Sequence, residues 1–227
     1  MNDPNFDLII FDCDGVLVDS ETISCRLDAE IFTALGFPLS FEDVRRDFVG
    51  VSASGMCREI ETRFGKALPS DMPQRLLTAT LEAFETQLKP IPGIAETLTR
   101  LGFPRCVASS SAPPRIRRSL ELTELIGFFD PHLFSSTMVT RGKPAPDIFL
   151  HAAREMGVAP SRCAVIEDSV PGVTAALAAG MTVLGFVGGD HCPPGHGDKL
   201  RALGAHVVFD AMSDLPRIIT ADGVQAR

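Results

Sequence analysis

Phe6-Asp7-Leu8-Ile9-Ile10-Phe11-Asp12-Cys13-Asp14-Gly15-Val16-Leu17-Val18-Asp19-Ser20-Glu21 begins as an almost unbroken apolar run and then places two aspartates two residues apart. The run from Phe6 to Phe11 predicts a strand buried on both faces, the signature of a parallel sheet covered by helices. Successive side chains of an extended chain alternate in direction, so Asp12 and Asp14 face the same side at the strand's C-terminal end. Gly15 allows the sharp turn that takes the chain out of the strand. Two carboxylates this close repel unless a cation or a shared proton relieves them. A hard cation such as Mg²⁺ suits an oxygen-only site of this kind.

Moving outward, similar apolar segments recur at Arg105 to Ser109, Cys163 to Ile166 and Thr182 to Phe186, with a weaker one at His206 to Phe209. Helical patterns separate them at Ile94 to Leu101, Pro114 to Leu122, Asp147 to Met156 and Gly172 to Ala179. Strands alternating with helices predict βαβ units and an α/β fold, a Rossmann-like parallel sheet core with helices on both faces. Residues 20–89 break that rhythm. They carry only amphipathic helical stretches, at Thr22 to Leu35, Phe41 to Asp47, Ala53 to Phe64 and Pro73 to Leu88, with Ser40 and Ser52 as N-caps. The expected organisation is a core of residues 1–19 and 90–227 with an all-helical domain, residues 20–89, inserted after the first strand.

Further chemistry gathers at the other strand ends. Glu167-Asp168 closes the strand Cys-Ala-Val-Ile and should lie at the same sheet edge as Asp12 and Asp14, where open α/β sheets bind ligands. A metal shared between the two acidic ends would offset their repulsion. Ser109-Ser110-Ser111 ends another strand, where hydroxyls and backbone N–H groups can cradle an anion. Lys143 sits between restricting prolines in Gly142-Lys143-Pro144-Ala145-Pro146-Asp147, ahead of a helix, and suits a phosphate oxygen as a point-charge partner.

Bulk properties narrow the partners. The formal net charge is −8 and the basic residues are dispersed, which argues against nucleic acid as a partner. The densest basic run, Arg115-Ile116-Arg117-Arg118, reads as the solvated face of a helix. No apolar run reaches membrane-spanning length, and Met1 to Asn5 lacks the features of an export signal. The six cysteines form no Cys-x-x-Cys pair and read as reduced, packed thiols. A cytoplasmic monomer acting on a small molecule, with no membrane or nucleic-acid partner, is the expectation. His191-Cys192-Pro193-Pro194-Gly195-His196 reads as a surface loop before a helix near Asp198 to Leu203.

The order acidic pair, hydroxyl, lysine, acidic pair resembles the haloacid dehalogenase superfamily in its helical-cap phosphatase and phosphomutase branch. The four motifs stand as Asp12 to Glu21, Val107-Ala108-Ser109-Ser110, Gly142 to Asp147, and Glu167-Asp168-Ser169. The resemblance implies that Asp12 attacks phosphorus and forms an aspartyl-phosphate, and that Asp14 serves as acid and then base. It implies Mg²⁺ held by Asp12, the backbone carbonyl of Asp14 and Asp168, with Glu167 adjacent, and a phosphoryl group bound by Ser109, Ser110 and Lys143. The helical insertion corresponds to the family's cap. Within the branch, the chain most resembles members acting on small phosphosugars, including the 6-phosphogluconate phosphatase type. Arg45, Arg46 and Arg58 are then cap contacts for an acidic sugar or simply exposed helix charges. A mutase like β-phosphoglucomutase is the near alternative, but it carries a cap histidine where this chain has Ser24 and basic residues where it has Val49 and Ala53. A non-catalytic receiver-like domain that binds Mg²⁺ and phosphate is the alternative from another class.

Overall fold

A computed structural model describes residues 6–220. Six parallel strands form one sheet in the order β3-β2-β1-β4-β5-β6: β1 (Leu8–Phe11), β2 (Arg105–Ser109), β3 (Leu133–Ser135), β4 (Cys163–Glu167), β5 (Thr182–Phe186) and β6 (Val207–Phe209). The register pairs Phe11 with both Val107 and Ile166, so the C-terminal ends of the three central strands lie level. The chain winds outward from β1 through β2 to β3, then crosses back to β4 on the opposite side. The resulting crevice is the topological switch point at which such sheets take ligands.

Among the described residues ten α-helices accompany the sheet: α1 (Glu21–Ala34), α2 (Phe41–Phe48), α3 (Ala53–Phe64), α4 (Met72–Gln87), α5 (Ile94–Arg100), α6 (Pro113–Leu122), α7 (Asp147–Glu155), α8 (Val170–Ala178), α9 (His196–Leu203) and α10 (Leu215–Thr220). Strand alternation sorts the core into two layers. Ile9, Phe11, Val107 and Ile166 pack on one face with α5, α6 and α10. Leu8, Ile10, Cys106 and Val165 pack on the other with α7, α8 and α9.

Helices α1 to α4 close round a third apolar core, built on Phe32, Phe37, Val44, Phe48, Ile60 and Leu76, with no strand among them. The expected caps are present. Ser40 accepts from the Asp43 N–H and Asp43 reciprocates in a full capping box, while Ser52 accepts from the Gly55 N–H. The two passages between helical insert and sheet run side by side: Asp19 N–H donates to the Lys89 carbonyl at 2.9 Å and Ile91 N–H to the Leu17 carbonyl at 3.0 Å. No helix among the described residues is long and apolar enough to cross a membrane.

The sequence expectations differ from the structure in two elements. The edge strand β3 and the terminal helix α10 were not anticipated. β3 has only three residues, too few for a periodicity to register. Phe32 is fully buried and meets Phe37 edge-to-face at a centroid distance of 6.5 Å. Phe32→Ala should therefore cost about 3–5 kcal/mol of insert stability, read as a lowered denaturant midpoint.

Candidate active site

Five consecutive loops at the C-terminal edge of the sheet converge beneath the helical insert. β1 delivers Asp12 and Asp14, β2 delivers Ser109 to Ser111, the segment after β3 delivers Lys143, β4 delivers Glu167 and Asp168, and the loop after β5 delivers His191. Asp12, Asp14, Ser109, Lys143, Glu167 and Asp168 are all buried. These six sequence-derived candidates reach one place, as the contacts below show.

Lys143 is the hub of the first cluster. Its Nζ donates to Asp12 Oδ1 at 2.7 Å and to Glu167 Oε1 at 2.6 Å. Burial alone would lower the Lys143 pKa, but the two carboxylates outweigh it and the ammonium is held above its ordinary range. Burial pushes Asp12 well up, Lys143 opposes, and Glu167, Asp168 and Asp14 add to the push. Glu167 is likewise raised by burial, partly offset by Lys143. Its second oxygen, Oε2, accepts from Ser169 N–H and Oγ, both at 2.9 Å. Gly172 makes room for it, since a Cβ there would lie 1.7 Å from Glu167 Oε1.

One oxygen from each of Asp12, Glu167 and Asp168 falls within a span of 4.8 Å. Asp12 Oδ2 and Asp168 Oδ1 make no hydrogen bond to the described residues, so they remain free to ligate. Hard oxygen donors and uncompensated negative charge both fit a divalent cation. The cluster can hold one.

Asp14 sits in a different environment. Its Oδ1 accepts from Arg115 Nη2 at 2.6 Å and from Ser20 Oγ at 2.7 Å, and its Oδ2 accepts from Ser111 Oγ at 2.6 Å. Burial works against ionisation, but Arg115 and the hydroxyls of Ser111 and Ser20 more than offset it and hold the carboxyl below its usual range. Two aspartates two residues apart are therefore pushed in opposite directions, the condition for giving them different tasks. Ser109 Oγ lies 3.4 Å from Asp14 Oδ2 and accepts from the Ser111 N–H at 3.0 Å. The Ser110 hydroxyl turns to the insert, donating to the Gly50 carbonyl at 2.8 Å.

Two site residues were not expected. Arg117 and Arg118 lie at the surface in ion pairs with Asp130 and Glu85, as a solvated helix face should. Arg115 departs from that reading. It stands in the first turn of α6, which begins at the sheet edge immediately after the serines, and its guanidinium turns inward to Asp14, to Ser24 Oγ at 3.0 Å and over the Phe84 ring. The start of α6 at the end of the serine motif was the available signal.

His191 likewise overturns the surface-loop reading of its segment. It is buried, with Nε2 2.6 Å from Asp168 Oδ2, while His196 Nε2 lies 2.6 Å from the Asp168 carbonyl. Burial would depress the imidazole pKa, yet the Asp168 hydrogen bond prevails and it is pushed up to about 11. Gly15, at φ +78°, permits this packing, because a Cβ there would lie 2.2 Å from Asp168 Oδ2 and 2.7 Å from the His191 ring. The Gly188-Gly189 pair that precedes His191 hinted at such a close approach.

Above these groups, α1, α3 and α4 enclose a cavity of about 370 Å³ whose floor includes Asp12, Asp14 and Ser109. That is the volume of a small-metabolite pocket. Arg58 lines its rim, whereas Arg45 and Arg46 pair with Glu42 and with Asp43 and Asp47 on the outer face of α2.

Comparison with known proteins agrees with this geometry. The family described as haloacid dehalogenase-like hydrolase matches residues 6–180. The 6-phosphogluconate phosphatase of Escherichia coli (strain K12) is 30% identical over 216 residues, which cover 95% of each chain. The beta-phosphoglucomutase of Bacillus subtilis (strain 168) is 30% identical over 221 residues, covering 91% of this chain and 90% of that one. A crystal structure of a conserved haloacid dehalogenase-like protein of unknown function from Agrobacterium tumefaciens str. C58 superposes with a TM-score of 0.80 at 40% identity, covering 94% of this chain and 97% of that one. Sheet order, helical insert and acidic cluster thus coincide with a family match over most of the chain, which belongs to the haloacid dehalogenase-like hydrolases as an enzyme of phosphatase type.

Proposed function

We propose that the protein is a Mg²⁺-dependent phosphatase that hydrolyses the monoester of a small phosphosugar or phosphosugar acid through an aspartyl-phosphate on Asp12. The observation that carries this reading is the unlike pair at the end of β1. Asp12 faces Lys143 and the acidic cluster, and Asp14 faces Arg115 and the serines. Asp12 is the nucleophile and Asp14 the proton carrier, because a carboxylate beside phosphorus and a second one beside the leaving oxygen divide the work of displacement and protonation.

Asp12 and Asp168, with the backbone carbonyl of Asp14 and with Glu167 adjacent, would hold Mg²⁺. Bound there, the ion would neutralise phosphoryl charge and let the ester approach a carboxylate. Lys143, which touches Asp12, and Ser109, which touches Asp14, would take phosphoryl oxygens. An incoming phosphate dianion raises the proton affinity of Asp14, favouring the acid form for the first step. Once the leaving group has gone, Arg115 and the serines favour the ionised form that takes a proton from water. Hydrolysis is preferred to phosphomutation because the cavity wall presents Ser24, and none of its lining residues is a histidine. In this reading the cap is residues 20–89.

Asp12→Asn should abolish phosphate release from p-nitrophenyl phosphate, and retained turnover would remove the mechanism. Mg²⁺ should raise the thermal midpoint of the wild type by binding only the folded cluster, and the rise should disappear in Asp168→Asn. Arg115→Met should lower kcat by about tenfold or more, the scale of one lost charge-assisted contact to a catalytic group.

A further inference from the structure

The cavity wall opposite the catalytic residues carries groups that the phosphate chemistry does not use. Glu21, Ser24 and Asp28 lie at i, i+3 and i+7 of α1 and share one helix face, and all three line the cavity. Glu21 is 8% exposed and Asp28 is partly buried, yet neither makes a hydrogen bond or ion pair among the described residues. Across the cavity on α4, Thr80 is 2% exposed, and its hydroxyl also has no hydrogen-bond partner among the described residues. Polar groups that line a cavity and have no protein partner are available to a ligand. Three such groups, on two helices, line one space large enough for a ligand.

We propose that Glu21, Asp28 and Thr80 bind the hydroxyls of the substrate's leaving group, so that the preferred substrate is the phosphate monoester of an uncharged polyol or sugar, not of a sugar acid or a bisphosphate. This rests on the phosphatase reading above. Seven helical residues rise about 10 Å, so Glu21 and Asp28 would meet a leaving group at separate hydroxyls along its length. Hydroxyls both donate and accept, and therefore match a carboxylate on one side and Thr80 on the other.

Charge decides against an acidic leaving group. Arg115 is already committed to Asp14 at 2.6 Å. Arg58 lies exposed at the rim, where an ion pair is screened and contributes little. A second anion would instead meet Glu21 and Asp28, which repel it wherever they are ionised. Burial raises Glu21 to about 8, with Asp14 adding to the push, and burial raises Asp28 to about 7, with Arg115 opposing. A hydroxyl can pair with either protonation state of these groups, whereas an anion fits only the protonated one.

The test compares Mg²⁺-dependent hydrolysis of p-nitrophenyl phosphate, a hexitol 6-phosphate and 6-phosphogluconate by the wild type, Glu21→Gln, Asp28→Asn and Thr80→Val. In the wild type at about pH 9, above the range to which Glu21 and Asp28 are raised, kcat/KM for the hexitol ester should exceed that for 6-phosphogluconate by about tenfold or more, the effect of one unmatched charge, and the ratio should shrink as the pH falls. Glu21→Gln and Asp28→Asn should narrow that ratio by improving the sugar acid. Thr80→Val should narrow it by raising KM for the hexitol ester, and as an isosteric change it keeps the test open if a carboxamide disturbs α1. A wild type that favours the sugar acid or does not discriminate overturns the inference, as does a ratio that none of the three variants moves. If the wild type fails to release p-nitrophenol, the phosphatase reading itself falls. Release of p-nitrophenol without hexitol preference removes the inference alone.

Discussion

Four carboxylates, those of Asp12, Asp14, Glu167 and Asp168, are buried at one edge of one sheet, and their mutual repulsion constrains everything around them. A buried ion without a partner costs several kcal/mol. Lys143 answers Asp12 and Glu167, Arg115 answers Asp14, and His191 answers Asp168. Each of these cations arrives on a different loop, so the sheet must bring the loops after β2, β3 and β5 to the ends of β1 and β4. The topology and the charge balance are one requirement seen from two sides. The uncommitted oxygens of Asp12 and Asp168 mark where a divalent cation could complete the balance.

Much of this was legible in the sequence because burial leaves a pattern. The apolar segments that became β1, β2, β4 and β5 are buried on both faces, and their ends carry the acids and the serine in plain view. The helical insert was legible for the same reason, since Ser40 and Ser52 announce helix starts that the structure retains. Arg115 was hidden because its charge looks like that of Arg117 and Arg118, and only two or three residues of helix separate the surface cations from the one turned to Asp14. His191 was hidden because prolines and glycines around it resemble an ordinary loop. Its burial depends on Gly15, more than 170 residues earlier in the chain, which a local reading cannot connect.

The same local economy explains the glycines at Gly15 and Gly172. Neither is needed only for a bend. At both, a side chain would occupy the volume now held by Asp168 or Glu167. Close packing leaves no slack at these carboxylates, so their positions are fixed by steric exclusion as well as by charge.

The two strands of chain joining insert to core pass side by side, through Asp19 with Lys89 and Leu17 with Ile91, and each body keeps its own apolar interior. A junction of that form lets each apolar interior be repacked on its own, but not every residue of α1 and α4 is free to change. Ser24 and Phe84 hold the guanidinium that answers Asp14, and Glu85 and Gly50 pair with the segment after β2, so the insert is anchored to the sheet edge at those points.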